Sequence, residues 1–257
     1  MDEDAKKWLW YSIPVVVVIG LGIALYYGRK SKESVEEQTR AMPEAVVPTP
    51  AIRNPVESEP TEVPLPPIDE SDAAAKDALA GTFGRQIDQV LVPKSIVRNI
   101  VATIDNLPRK KIPGQRLPLR PTGGEFAVSG TDEIALSADN YARYDMVVKL
   151  VQNADMAQVT KLYRRYYPLL QQAYTELGYP DGYFNDRLIE VIDHLLETPE
   201  VRGPISLRQP GVFYEFRDPS LEERSAGQKL LIRMGPQNAA AVKAKLKALR
   251  SEIAKRQ

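Results

Sequence analysis

The chain has 257 residues, with 34 basic and 34 acidic side chains, a formal net charge of zero, one histidine and no cysteine. The missing cysteines exclude a disulfide framework, a thiolate metal site and a cysteine nucleophile. The lone His194 excludes zinc sites built on two or three imidazoles. A chain without thiols suits an oxidising and a reducing compartment equally, so composition does not set localisation.

After a short tail of residues 1–7, the stretch from Trp8 to Tyr27 carries no charged side chain. As an α-helix, residues 8–27 extend about 30 Å, the thickness of a bilayer's hydrocarbon core. Trp8, Trp10 and Tyr11 at one end and Tyr26 and Tyr27 at the other are placed as membrane-interface anchors, because rings with one polar atom favour the headgroup boundary. Pro14 predicts a kink rather than a break. Gly22 and Ala24 would also suit signal-peptidase cleavage; against this stand the acidic start Asp2, Glu3, Asp4 and an apolar run that continues to Tyr27. A buried core helix fits poorly, since no amphipathic face interrupts Val15 to Leu25.

Lys6 and Lys7 before the span nearly balance Arg29, Lys30 and Lys32 after it, with a slight lean toward a cytoplasmic C-terminal side. The layout of short tail, single span, Pro-rich spacer and terminal domain favours the opposite arrangement, a single-pass protein of a bacterial inner membrane with a periplasmic C-terminal domain. Residues 28–68 read as a Pro/Glu-rich disordered linker. Pro43 to Pro67 mixes prolines with Glu44, Glu57, Glu59 and Glu62 and has no hydrophobic period. In extended polyproline II form that run reaches on the order of 75 Å. It reads as a spacer that carries a domain away from the membrane, or as a leftover with no required length.

Residues 69–257 are long enough for one domain with a sizeable core. The predicted class is mainly α with a minor β element. Helices are expected over Ser71 to Phe83 and Pro93 to Leu107, the second with Ile96, Val97, Ile100, Val101 and Ile104 at helical spacing. A Pro- and Gly-rich loop follows, with short strands expected at Glu125 to Val128 and Glu133 to Leu136. Helices resume over Asp139 to Val151, Met156 to Leu177 and Tyr183 to Glu197, and Asp155 with Gln158 has capping-box spacing. Pro168 should kink or split the second of these. A hairpin is expected from Ile205 to Leu207 and Val212 to Phe216, then a helix from Asp218 to Met234 and a last one starting at Pro236.

The segments Val101-Ala-Thr-Ile-Asp-Asn-Leu-Pro108, Asn140-Tyr-Ala-Arg-Tyr144, Tyr167-Pro-Leu-Leu-Gln-Gln-Ala-Tyr174, Leu177-Gly-Tyr-Pro-Asp181, Ile192-Asp-His-Leu-Leu196 and Ala226-Gly-Gln-Lys-Leu-Leu-Ile-Arg-Met-Gly235 together resemble the bacterial family called domain of unknown function 3014. The resemblance covers the chain from Pro66 to the C-terminus. It implies a proteobacterial protein, usually with an N-terminal membrane segment. It implies no assigned activity and supplies no catalytic residue.

Asp186, Glu190, Asp193 and Glu197 share one helical stripe, opposite Leu188, Ile192 and Leu195. Such carboxylates could do acid/base work or hold a hard cation; the plainer reading is a solvated face. Six tyrosines between Tyr163 and Tyr183 could form a binding surface or sit in the core. The polar residues Asp105, Asn106, Asn140, Arg143, Tyr144, Asp193, His194, Gln228 and Arg233 lie within otherwise apolar motifs. They could converge on a pocket, or form a buried network that holds loops. The last helix places Val242, Leu246, Leu249 and Ile253 on one face, with Lys243, Lys245, Lys247, Arg250, Lys255 and Arg256 around it. It packs on the domain, or lies on anionic lipid or nucleic acid.

No catalytic residue, metal site or cofactor is assigned; neither a Walker loop nor a Gly-x-Ser-x-Gly turn is present. The leading expectation is a non-enzymatic domain that meets the bilayer through residues 8–27, binds or scaffolds a protein or other envelope partner, and takes no nucleic acid. The alternatives are an envelope enzyme acting on glycan through the helix carboxylates, and a cytoplasmic-facing domain whose basic helix contacts lipid or nucleic acid.

Overall fold

The computed structural model describes residues 51–56, 64–114 and 117–254. The expected membrane span, its aromatic anchors and the tail before it lie outside the described residues. Among the described residues, no helix is long and apolar enough to cross a membrane.

The domain is mainly helical, as the periodicity predicts, and the short strands expected in the long loop pair into a hairpin beside the one expected after Ile205. Helix α1 (Asp72–Phe83) and helix α2 (Ile96–Asn106) come first. The Asp72 carboxylate accepts the backbone N–H groups of Ser95 (2.7 Å) and Ile96 (2.8 Å), so the start of α1 caps the start of α2. The apolar stripe of α2 buries Ile96, Val97 and Val101. Strands β1 (Val128–Ser129) and β2 (Ala135–Leu136) pair antiparallel, Val128 opposite Leu136. They are shorter than expected: β1 runs one residue further toward Gly130, and β2 keeps only the last two residues of its expected span.

The helix expected from Asp139 to Val151 is two helices, α3 (Asp139–Ala142) and α4 (Asp145–Asn153). Asn140 explains the division. Its side chain donates to the carbonyls of Ala127 (2.5 Å) and Ser137 (3.0 Å) and accepts from the Ala127 N–H, which ties α3 to the β1 hairpin. Helix α5 (Met156–Glu176) starts at Asp155, whose carboxylate accepts the N–H groups of Ala157 and Gln158. Pro168 does not split α5. It lies on the exposed side, while Tyr166, Tyr167, Leu169 and Leu170 around it are buried and hold the helix in place.

Helix α6 (Phe184–Leu196) precedes a second antiparallel pair, β3 (Leu207–Arg208) and β4 (Glu215–Phe216). Leu136 N–H donates to Ile205 O and Leu207 N–H to Ile134 O, joining the two hairpins. The helix expected from Asp218 to Met234 is also two: α7 (Pro219–Glu222), capped by Asp218, and α8 (Ala226–Arg233), capped by Ser225. The break lets the first N–H groups of α8 meet the end of α2: Ala226 donates to Arg109 O (2.7 Å) and Gly227 to Leu107 O (3.0 Å). Helix α9 (Pro236–Ile253) closes the fold against α4, α5, α6 and α8.

Burial divides into separate apolar clusters. One lies among α1, α2 and α5 and ends at Phe184; a second joins α4, α6, α8 and α9; a third sits under the hairpins around Leu207 and Phe216. Ile104 and Tyr163 touch both of the first two.

Candidate functional site

The carboxylate stripe of α6 is solvated in part, but Asp186, Glu190 and Asp193 are engaged by other parts of the chain. Asp186 is 8 % exposed. It accepts the backbone N–H groups of Arg53 and Asn54, both at 2.9 Å, and the Asn54 side-chain amide at 2.7 Å. Beside it, Asn185 donates to Asn54 O and Ile253 O, and Tyr183 Oη accepts the Val56 N–H at 2.7 Å. Glu190 pairs with Arg53 (2.5 Å) and Arg187 (3.6 Å), while both oxygens of Asp193 meet the Arg250 guanidinium. Glu190 and Glu197 lie exposed, Asp193 is half-buried and Asp186 is buried.

Residues 51–56, which composition assigns to the linker, therefore run as a strap over the start of α6. Asp186 acts toward the strap as a helix-first-turn anion acts toward free amides, with the added charge strengthening each bond. Arg53, Asn54, Asp186, Glu190, Asp193 and Arg250 line a cleft of about 660 Å³. Among the described residues, no group of three or more histidine or acidic side chains is placed to hold a metal ion.

The polar residues singled out in the sequence fall in separate places. Asp105, 1 % exposed, accepts from Arg187 (2.9 Å), Arg109 (2.8 Å) and Tyr179 Oη (3.2 Å), and Arg187 also reaches the Asp105 carbonyl. Asn106 bonds back to Ala102 O within α2. Asn140 and Arg143 meet each other, and Arg143 reaches Gly123 O, so this pair holds the long loop. Tyr144 is buried, and burial raises its pKa. His194 Nε2 meets Ser225 Oγ at 2.8 Å, Gln228 donates to His194 O, and burial lowers the His194 pKa. Arg233 donates to Tyr214 O and lies 5.1 Å from the Phe216 ring centre. Asp193 stands apart from all of these, on the strap side.

Sequence reading missed Arg53, Arg187 and Ser225, and set Arg250 on the basic face of the last helix without its partner Asp193. Ser225 carried a signal, since Ser225 and Gln228 have capping-box spacing. The arginines carried none for these contacts, because Asp186 and Glu190 for Arg53, Asp105 for Arg187 and Asp193 for Arg250 are remote in the chain.

The tyrosines between α5 and α6 belong mostly to the core. Tyr166, Tyr167 and Tyr174 are buried, and Tyr174 stacks on Tyr179 with ring centres 4.6 Å apart. Burial raises the hydroxyl pKa of Tyr167 and Tyr163 and pushes that of Tyr174 up to about 12. Tyr163 directs its hydroxyl to Asn185 (2.8 Å) and turns its ring to the gap between the two main apolar clusters.

That gap is a cavity of about 190 Å³ bounded by α1, α2, α5, α6 and α9. Its walls are aliphatic and aromatic, with Ile104, Val159, Leu188 and Leu249 among them, and Lys245 is the charged residue in the lining. Met156, Val159, Leu162, Lys245 and Leu249 are half-buried, as are Phe83, Ile100, Ile104 and Tyr163, so the lining approaches the surface in several places, one of them the seam between α5 and α9. Lys245 Nζ donates to Ala154 O at 2.7 Å across that seam. An apolar volume of this size without an occupant costs a fold roughly 4–5 kcal/mol, at about 24 cal/mol per Å³. An engineered apolar cavity of about 150 Å³ admits benzene.

Comparison with known proteins adds one match. The model of a family described as "Protein of unknown function (DUF3014)" matches residues 96–250. No curated protein and no solved structure matches the chain.

Proposed function

Because the chain belongs to the DUF3014 family, whose description assigns no activity, we propose a function from its own residues: a non-catalytic binding domain, anchored in a bacterial inner membrane by residues 8–27 and held in the periplasm on a Pro-rich tether. The observation that carries the non-catalytic reading is the engagement of Asp186, Glu190 and Asp193 by the chain's own amides and guanidinium groups. A general acid or base must exchange protons with a substrate, and these carboxylates are instead held to the strap and to α9. The basic helix is engaged in the same way. Lys243 donates to Thr198 O and Arg250 to Asp193, which occupies two of the cations that a nucleic-acid contact or a flat lipid surface would use.

What supports the membrane reading is the uncharged, aromatic-flanked segment 8–27 followed by the Pro-rich run. The strap bears on the tether reading: residues 51–56 of the Pro-rich run meet α6, so that part of the run belongs with the domain.

An alkaline phosphatase fused after Gln257 tests the location. Activity is expected, since the reporter matures only after export; an inactive but well-expressed fusion would move the domain to the cytoplasmic side. A photo-crosslinking side chain at Phe213, 57 % exposed on the β3–β4 turn, is expected to capture an envelope component from living cells.

A further inference from the structure

The shape of the cavity is more specific than its volume. On α2 it is lined from Ile96 to Leu107, and on α6 from Phe184 to Leu195. At about 1.5 Å per residue each of these walls is roughly 16 Å long. A volume of about 190 Å³ drawn out over that length is narrow. It suits one unbranched chain better than a fused ring system.

The chemistry of the walls agrees. Carboxylates and amides are absent from the lining, Tyr163 has its hydroxyl engaged by Asn185, and Lys245 is half-buried beside Leu249, at one of the places where the lining approaches the surface. Its ammonium has three N–H donors, of which one goes to Ala154 O, leaving two for an anionic group at the mouth.

We propose that the cavity between α2, α5, α6 and α9 binds a single aliphatic chain of an acyl lipid, with the lipid's anionic head held at Lys245. This rests on the binding reading above and names its ligand class. A free fatty acid and a phospholipid share the required chemistry, a hydrocarbon chain ending in a negative charge. Burial of the chain replaces water against apolar walls, which is the driving force; the ammonium sets which end stays outside.

The test uses the full-length chain in cells fed a long-chain fatty acid that carries a diazirine near its methyl end. After irradiation, the protein is isolated and its labelled peptides are mapped. Label is expected on α2, α5, α6 or α9 at lining positions such as Ile104, Val159 and Leu188. The mass of the adduct separates a free fatty acid from a phospholipid.

Val159→Trp should block the cavity and reduce domain label by about tenfold, and Leu162→Phe, a smaller change that guards against misfolding, by several-fold. Lys245→Met should weaken labelling while leaving its positions unchanged. Label confined to residues 8–27, in chains whose domain melts cooperatively, would overturn the proposal; so would undiminished domain label in a folded Val159→Trp chain. Labelled cavity peptides together with an inactive phosphatase fusion would sink the periplasmic location and leave the acyl site standing.

Discussion

Asp105 has almost no contact with water and is met by Arg109, Arg187 and Tyr179. Removing one partner of a buried ion pair costs about 3–5 kcal/mol, because the other charge is left uncompensated. Asp105→Ala should therefore lower stability by roughly that amount in urea unfolding, and pairing it with Arg187→Met should recover part of the loss. His194 makes a prediction of the opposite kind, in pH. Burial lowers its pKa below 6.5, so the neutral ring is the favoured folded form and the unfolded chain takes up the proton first. Its stabilising contribution is full above about pH 6.5 and is lost as pH falls through the folded-state pKa. The urea midpoint should drop between about pH 7.5 and about pH 5.5, and the drop should be smaller in His194→Gln.

Elements are joined here by a few close contacts at their ends. A Cβ added at Gly227 would sit 2.6 Å from Leu195 Cδ2 and 3.1 Å from Leu107 O, so the start of α8 can reach the end of α2 only without a side chain. Gly227→Ala should cost about 1–3 kcal/mol, as overpacking does, read as a lower thermal midpoint. Pro168 predicts a gain. A mid-helix proline lacks the N–H that would bond the carbonyl four residues back, a defect of about 3 kcal/mol, and its exposed position means no packing is lost with it. Pro168→Ala should raise the midpoint. Periodicity identified α2, α5 and α6 because their apolar spacing is local. The divisions at Arg143 and Ser225 escaped it, since each is made by bonds to distant segments, from Asn140 to Ala127 and from Gly227 to Leu107.

For the whole molecule, the strap decides where tether ends and domain begins. Arg53 offers a trypsin site inside a segment held by Asp186. Cleavage after Arg53 should be slow in the folded chain and at least several-fold faster in Asp186→Ala, with the core of the domain intact in both. Equal rates would mean that the strap gives no protection. The candidate sites divide in the same way. The α6 carboxylate stripe was visible as a spacing, but whether water, substrate or the chain itself covered it depended on Arg53 and Arg250, 133 and 57 residues away from their acidic partners. The cavity left no sequence signal at all, because its walls are the same Ile, Leu and Val positions that would fill a closed core.

The sequence by itself determined most of the elements and the family: helical periods, capping residues, the uncharged segment 8–27 and the motifs that resemble DUF3014, though not the divisions at Arg143 and Ser225. Each of these is a property of neighbours along the chain, where geometry follows from spacing. Only the tertiary structure decided which polar groups meet and where apolar side chains fail to close. Asp186 finds the strap, Asp105 finds Arg187, and two apolar clusters share Ile104 and Tyr163 yet leave a cavity lined by both residues. Those outcomes depend on how whole helices pack, and side chains far apart in sequence share no local rule that would announce them.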